Sequence, residues 1–277
     1  MVRIVTDSPG GLTLEQAAAY DIVGVVPSYV IFGDHSWLEH QTITPAEFHE
    51  KLKTDPHFPT TSAPSIGDYI QVYEKYPSDQ ILSIHLSRHL SAGVVAAQQA
   101  AQALSHQDIT VVDTQNVSAG ETLLVMEAVR LAKEGKTAQE IKTAIEALIP
   151  RAKLLVVFDT LENLKRGGRI TAAAALFGGL LQTKPIFTVK EGKLEPIERV
   201  RTTAKAQARV KEMALATLKT SSDKRYILMH AAAHEAAAKF AAELTAELGV
   251  PPMVLIEVGA SVAAHSGPGA LGIAFFN

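Results

Sequence analysis

Short, continuous apolar runs alternate with alanine-rich stretches through the first half of the chain. Val2–Val5, Val23–Val26, Ile81–Ile84 and Ile109–Val112 read as strands. Their apolar positions are consecutive rather than alternating, as suits strands covered on both faces of a parallel sheet. The helices between them announce their starts. Thr44-Pro45-Ala46-Glu47 supplies an N-cap hydroxyl, a proline at the first helical position and a glutamate at N3, a complete capping box. Thr13 with Gln16 and Thr137 with Glu140 repeat that pattern more loosely. The stretch Val94–Leu104 reads as a helix whose small side chains allow close packing.

The second half changes character. Leu154–Phe158 reads as a strand, and Thr160–Lys165 as a short helix ending at Gly167-Gly168. Ile186–Val189 and Leu194–Val200 form an expected antiparallel hairpin around Lys190-Glu191-Gly192-Lys193. A helix over Ala204–Leu218 follows, then strand Tyr226–His230, helix Glu235–Leu248, strand Val254–Val258 and a final strand Leu271–Phe276. The expected fold class is α/β in two domains. Residues 1–150 form a parallel-sheet α/β domain and residues 151–277 a mixed α+β domain, with the helix Gly135–Pro150 as the crossing point.

Composition narrows the function classes. At 277 residues, 47% hydrophobic and 20% charged, the chain has the makeup of a globular protein able to fold without staples. It has no cysteine, which excludes disulfides, thiol catalysis and thiolate metal sites and fits a reducing cytoplasm. A net charge of −3 offers no basic field for nucleic acid. The N-terminus lacks the pattern of a signal peptide. No apolar stretch reaches membrane-spanning length; the longest, Ile170–Leu181, is short and interrupted by Gly178 and Gly179. A cytoplasmic protein with no integral membrane segment is expected.

Several apparent motifs carry little. Gly267-Pro268-Gly269-Ala270-Leu271-Gly272 satisfies GxGxxG, but only Ile273–Asn277 follow, leaving no room for the helix that meets a pyrophosphate. It reads instead as a turn before an edge strand. His85/His89 and His230/His234 have the four-residue spacing of helical metal ligands. Each first histidine ends a strand, however, and no third donor is close in sequence, so no metal site is expected. There is no GxxxxGK[ST] loop and no GxSxG elbow.

What remains is a set of hydroxyl-rich segments at strand ends and helix starts. They are Thr6-Asp7-Ser8, Thr60–Ser65, Ser87–Gly93 and Asp113-Thr114. Ligands of open α/β sheets bind at the carboxyl ends of strands, so these hydroxyls could receive one small anionic or polar head group. Each segment alone is equally explained by helix capping, and Ser65 is only a cap. Cations cluster in Lys165-Arg166-Gly167-Gly168-Arg169 and Arg199-Val200-Arg201. Capping of a helix C-terminus accounts for Lys165 and Arg166, but less well for Arg169 beyond the two glycines.

Taken in order, these segments resemble the DegV family, whose characterised members are fatty-acid-binding subunits of a bacterial fatty acid kinase. The resemblance runs the whole length. It comprises Thr6-Asp7-Ser8, Thr61-Ser62-Ala63-Pro64, Ser87–Gly93, Val111-Val112-Asp113-Thr114, Leu164–Ile170, Lys184-Pro185-Ile186 with Arg201 following, and His265–Ala270. Two positions depart from the family pattern: Ala63 stands for a glutamine, and Ala92-Gly93 for Gly-Thr.

The resemblance implies a fatty acid in a tunnel between the two domains, its carboxylate held by Thr61 and Ser91 with Ser62, Asp7 and Gly93 in support. It implies that Arg169, Arg201 and His265 face the place where a partner kinase, the fatty acid kinase catalytic subunit, delivers phosphate. The chain would then be a carrier with no catalytic residue and no cofactor, its ligand a long-chain fatty acid. The helix Ala172–Leu181 would either line the tunnel or simply be buried. Two other readings stay open: a hydrolase or acyltransferase using Ser91 with His265, and a carrier of a different apolar anion.

Overall fold

The computed structural model describes residues 1–170 and 183–277. The expected Ala172–Leu181 helix therefore lies outside the described residues. The N-terminal half is built on four parallel strands, β1 (Val2–Asp7), β2 (Ile22–Val26), β6 (Gln80–His85) and β7 (Ile109–Asp113), in the order β2-β1-β6-β7. The chain steps from β1 to one side and later returns on the other. The carboxyl ends of β1 and β6 thus flank a topological switch point.

Helices α1 (Leu14–Ala19), α2 (Pro45–Thr54), α3 (Ile66–Tyr73), α4 (Gly93–Ala103), α5 (Ala119–Lys133) and α6 (Ala138–Leu148) complete this half. The capping boxes read from Thr13, Thr44 and Thr137 are all formed, and Ser65 caps α3 through Asp68. One element is not foreseen by the pattern. Strands β3 (Tyr29–Phe32), β4 (His35–Leu38) and β5 (Thr60–Ser62) make a small antiparallel sheet in the order β4-β3-β5, so Thr60–Ser62 is a strand rather than a loop. Three residues are too short to show a period.

After a 3₁₀ turn at Ile149–Arg151 comes a six-stranded mixed sheet, ordered β10-β9-β8-β13-β11-β12. Its strands are β8 (Ala152–Val157), β9 (Lys184–Lys190), β10 (Lys193–Val200), β11 (Tyr226–His230), β12 (Leu255–Glu257) and β13 (Leu271–Phe276). The helices are α7 (Glu162–Arg166), α8 (Thr203–Leu218), α9 (His234–Leu248) and α10 (Ala260–Ser266). β9 and β10 form the expected hairpin; Glu191 and Gly192 both have positive φ (50° and 78°), as a two-residue type I′ turn requires.

The last strand is not at an edge. β13 pairs antiparallel with β8 on one side and β11 on the other, at the centre of the sheet. Its run Leu271–Phe276 is buried at every position, as suits a central strand.

The two sheets and their helices stack in five layers. Tyr69, Tyr73, Ala97 and Ala100 of α3 and α4 cover the outer face of the first sheet through Val5, Val26 and Ile81. Ala206, Val210, Phe240 and Leu244 of α8 and α9 cover the outer face of the second. Between the sheets lies α5, buried along most of its length and packed against β1, β8, β11 and β13. One hydrophobic cluster runs through this middle layer, from Ile4 and Leu82 through Leu123, Leu124 and Ala128 to Leu154, Met229 and Phe276.

Candidate ligand cavity

Beside α5, at the switch point of the first sheet, lies a cavity of about 320 Å³. That is within the usual range of small-molecule pockets, roughly 300–1,000 Å³. Much of its wall is apolar. Leu154, Val156, Phe158 and Met229 come from the inner face of the second sheet, and Pro9, Leu86 and Val117 from the ends of strands in the first. Leu90, Leu164, Leu194 and Val262 add to the lining.

Four of the expected site residues line this space: Thr61, Ser91, Arg169 and His265. Thr61 is placed by β5, where it pairs with Val30, and His265 by α10. Thr61 Oγ1 and His265 Nε2 are 2.9 Å apart, joined by a hydrogen bond whose direction follows the imidazole tautomer. Burial, reinforced by the neighbouring Arg169 cation, pushes the His265 pKa down to about 4, so the ring is neutral at neutral pH.

Gly167 makes this placement possible: a Cβ there would lie 2.0 Å from His265 Nδ1. Arg169 follows the turn at Gly168 (φ 68°). Its Nε donates to Leu90 O at 3.2 Å and its Nη1 to Gly167 O at 2.7 Å. The guanidinium therefore spans from the second half of the chain to the loop that carries Ser91. Burial lowers its pKa from the ordinary arginine value.

Ser91 lies at the start of α4, its amide donating to Ser87 O at 3.1 Å and its Oγ accepting from the Gly93 amide at 3.2 Å. The hairpin tip steadies the same loop, because Ser87 Oγ donates to Gly192 O at 2.8 Å. A Cβ on Gly192 would meet Ser87 Oγ at 2.4 Å, so glycine serves both the turn and this close approach. Ala63 and Ala92, the two departures from the family pattern, both face the cavity.

The remaining expected residues are placed differently. Ser62 lines the rim and donates to Ala63 O at 3.2 Å. Arg201 is exposed just beyond β10 and is not part of the lining. Asp7 is fully buried behind the cavity. Its Oδ2 is 3.1 Å from His85 Nδ1, whose Nε2 is 2.6 Å from Ser83 Oγ, which accepts from Tyr73 OH at 2.8 Å. Burial and the adjacent Asp7 hold the Glu121 carboxyl well above the usual carboxylate range. Gly93 packs against this group, its Cβ position 3.3 Å from Asp7 Oδ2.

Sequence reasoning misses four serines that also line the cavity, Ser28, Ser118, Ser261 and Ser266, and the buried glutamate behind two of them. Glu39 accepts from Ser8 Oγ, from the Ser261 amide at 2.7 Å and from Ser261 Oγ at 2.7 Å. It thereby pins the start of α10, and with it His265, to the N-terminal half. Ser118 is the more legible omission in hindsight. It holds φ 51° without being glycine, and its buried Oγ has no partner among the described residues.

The geometry does not assemble a hydrolytic triad. His265 Nε2 faces Thr61 rather than Ser91, and its Nδ1 meets no carboxylate among the described residues. An apolar lining with polar groups gathered where α10, β5 and the Ser91 loop meet suits a ligand with an apolar body and one polar or anionic head.

Comparison with known proteins agrees with this architecture. Residues 1–277 match the family described as "Uncharacterised protein, DegV family", and the chain belongs to that family. A DegV domain-containing protein of Deinococcus radiodurans is 35% identical over 285 residues, covering 99% of this chain and 97% of its own. Among solved structures, a fatty-acid-binding DegV family protein from Thermus thermophilus superposes with a TM-score of 0.90 at 34% identity, covering 100% of this chain and 99% of its own. DegV, a fatty acid binding protein from Bacillus subtilis, gives 0.91 at 30% identity, covering 99% and 98%.

Proposed function

We propose that this chain binds one long-chain fatty acid, its tail in the apolar cavity and its carboxylate at Thr61 and Ser91, and presents that carboxyl to a partner kinase for acyl-phosphate formation. The convergence of Thr61, Ser91, Arg169 and His265 at one end of a largely apolar cavity carries this reading. The fatty-acid-binding relatives of the same fold support it.

The energetics divide between tail and head. At about 0.8 kcal/mol per buried methylene, a sixteen-carbon chain gains on the order of 12 kcal/mol before ordering costs. Two neutral hydroxyl hydrogen bonds add about 1 kcal/mol each, so their role is to fix the head group in place. Neutral donors suit a ligand that must change and leave, whereas a bidentate arginine clamp would hold the carboxylate tightly. Arg169 has its Nε and Nη1 committed to backbone carbonyls, so it adds positive potential beside the head group rather than a clamp. That potential, with exposed Arg201 further out, would stabilise the additional charge of an acyl phosphate.

Native mass spectrometry of the purified chain, followed by lipid analysis of what denaturation releases, tests the binding step. One fatty acid per chain is expected; a protein that is empty and takes up no added fatty acid overturns it. For the kinase step, Arg169→Ala and Arg201→Ala should slow acyl-phosphate formation by a candidate kinase, and unchanged rates in both would remove these arginines from the mechanism.

A further inference from the structure

Away from the cavity, the fold brings together the histidine pair His230/His234 and a third donor that sequence spacing does not reveal. β11 and β12 are parallel neighbours in a register that sets His230 beside Glu257, at the carboxyl ends of both strands. His234 opens α9 after a tight turn in which Ala232 takes φ 46°. The two histidines meet because a strand end and a helix start converge, not because they share a helix face. One ligand atom from each of His230, His234 and Glu257 lies within 4.8 Å of the others.

We propose that His230, His234 and Glu257 bind a divalent transition-metal cation, with Zn²⁺ the best match. Two imidazoles and one carboxylate are a common catalytic zinc donor set, and its hard–borderline mixture suits Zn²⁺ better than Mg²⁺ or Ca²⁺, which favour all-oxygen ligands. The spacing fits. His234 Nε2 and Glu257 Oε1 are 3.3 Å apart, close to the ~3.4 Å edge of a tetrahedron with metal–ligand bonds of about 2.1 Å. The two rings meet edge to face at 70°, centroids 4.8 Å apart, rather than stacking. The only hydrogen bond of the His230 ring among those described is a long one, 3.3 Å from the Ala233 amide to Nδ1, a weak competitor for the ring's lone pair.

A second observation points the same way. His49, on α2 of the N-terminal half, is 8% exposed, and its Nε2 has no hydrogen-bond partner among the described residues. Its ring lies near enough to His234 and His230 for their charges to repel. A simple ion pair between His234 and Glu257 accounts for neither the burial of His230 nor the unpartnered nitrogen of His49.

The test uses the full chain freed of metal by chelation. Zn²⁺ titrated by calorimetry, and Co²⁺ followed by its visible d–d absorption, should each bind once per chain. His234→Ala is 69% exposed and should fold normally, as should Glu257→Gln. Loss of one direct ligand should weaken binding by about 100-fold or more, since removal of supporting partners alone costs 10–100-fold. Stoichiometric binding lost in both variants supports the site. No binding by the unaltered chain, or binding that survives both substitutions, overturns it.

Discussion

The polar end of the cavity and the buried group around Asp7 are made of the same residue types, hydroxyls with a histidine, and both sit at the carboxyl ends of strands. They differ in how their hydrogen bonds are spent. In the Asp7 group, His85 bonds on both ring nitrogens, to Asp7 and Ser83, and Tyr73 extends the chain. At the cavity, Thr61, Ser91 and His265 are only partly buried, and His265 Nδ1 has no partner among the described residues. An imidazole bonded on both nitrogens is fixed in one orientation, whereas one with an unpartnered nitrogen keeps a hydrogen-bonding position open to a ligand. Residue type alone therefore does not separate scaffold from site.

Five substitutions would break or sharpen that contrast. The largest effect is expected from His85→Ala, which leaves Asp7 buried without its imidazole partner and should cost about 3–5 kcal/mol in denaturant unfolding. Fatty-acid affinity, measured where the variant is still folded, should change little. A large affinity loss with unchanged stability would move His85 into the site.

Gly167→Ala should displace the His265 ring and break its bond to Thr61. The expected result is about a tenfold loss of fatty-acid affinity, or roughly 1.4 kcal/mol, by calorimetric titration. Thr61→Val and Ser91→Ala should each weaken binding about fivefold, equivalent to roughly 1 kcal/mol per hydrogen bond. Their unfolding free energies should stay within about 0.5 kcal/mol of the unaltered chain. Equal losses in stability would make these hydroxyls scaffold as well.

The smallest effect is a slope in pH. His265 prefers to be neutral in the folded state, with a pKa near 4 against an ordinary 6.5. Its contribution is intact above pH 6.5 and is lost as pH falls from 6.5 toward 4, where the unfolded chain binds a proton that the folded chain resists. His265→Gln should flatten the stability profile across that window. His230, shifted to about 4 by burial and its neighbouring histidines, leaves some slope behind. An unchanged slope would mean that the His265 ring is already wet.

Much of the architecture is legible in the chain because its signals are local. The capping boxes at Thr13, Thr44 and Thr137 and the Glu191-Gly192 turn depend on three or four consecutive residues, and all form as read. The parallel character of the first sheet follows from the consecutive apolar residues of β1, β2, β6 and β7. What the pattern misses depends on distant pairing. β5 is too short to carry a period, and the central place of β13 depends on partners far back in the chain, Leu271 pairing with Val157, 114 residues earlier, and Ala274 with Ile227, 47 residues earlier.

The candidate site divides in the same way. Thr61, Ser91, Arg169 and His265 lie in recognisable segments, whereas Glu39 enters only because Ser8 and Ser261 fold around it. Glu257 is likewise brought to His230 by strand register alone.

Helix α5 gives the division of the chain a different meaning. It packs on strands from both sheets, and its side chains belong to one hydrophobic cluster that reaches from Ile4 to Phe276. A fragment ending near residue 150 would keep this helix but leave bare the face that β8, β11 and β13 cover. The second sheet on its own would lose the same cover. Neither half can melt without uncovering the other, so the molecule should unfold in one cooperative step and resist cleavage into stable fragments.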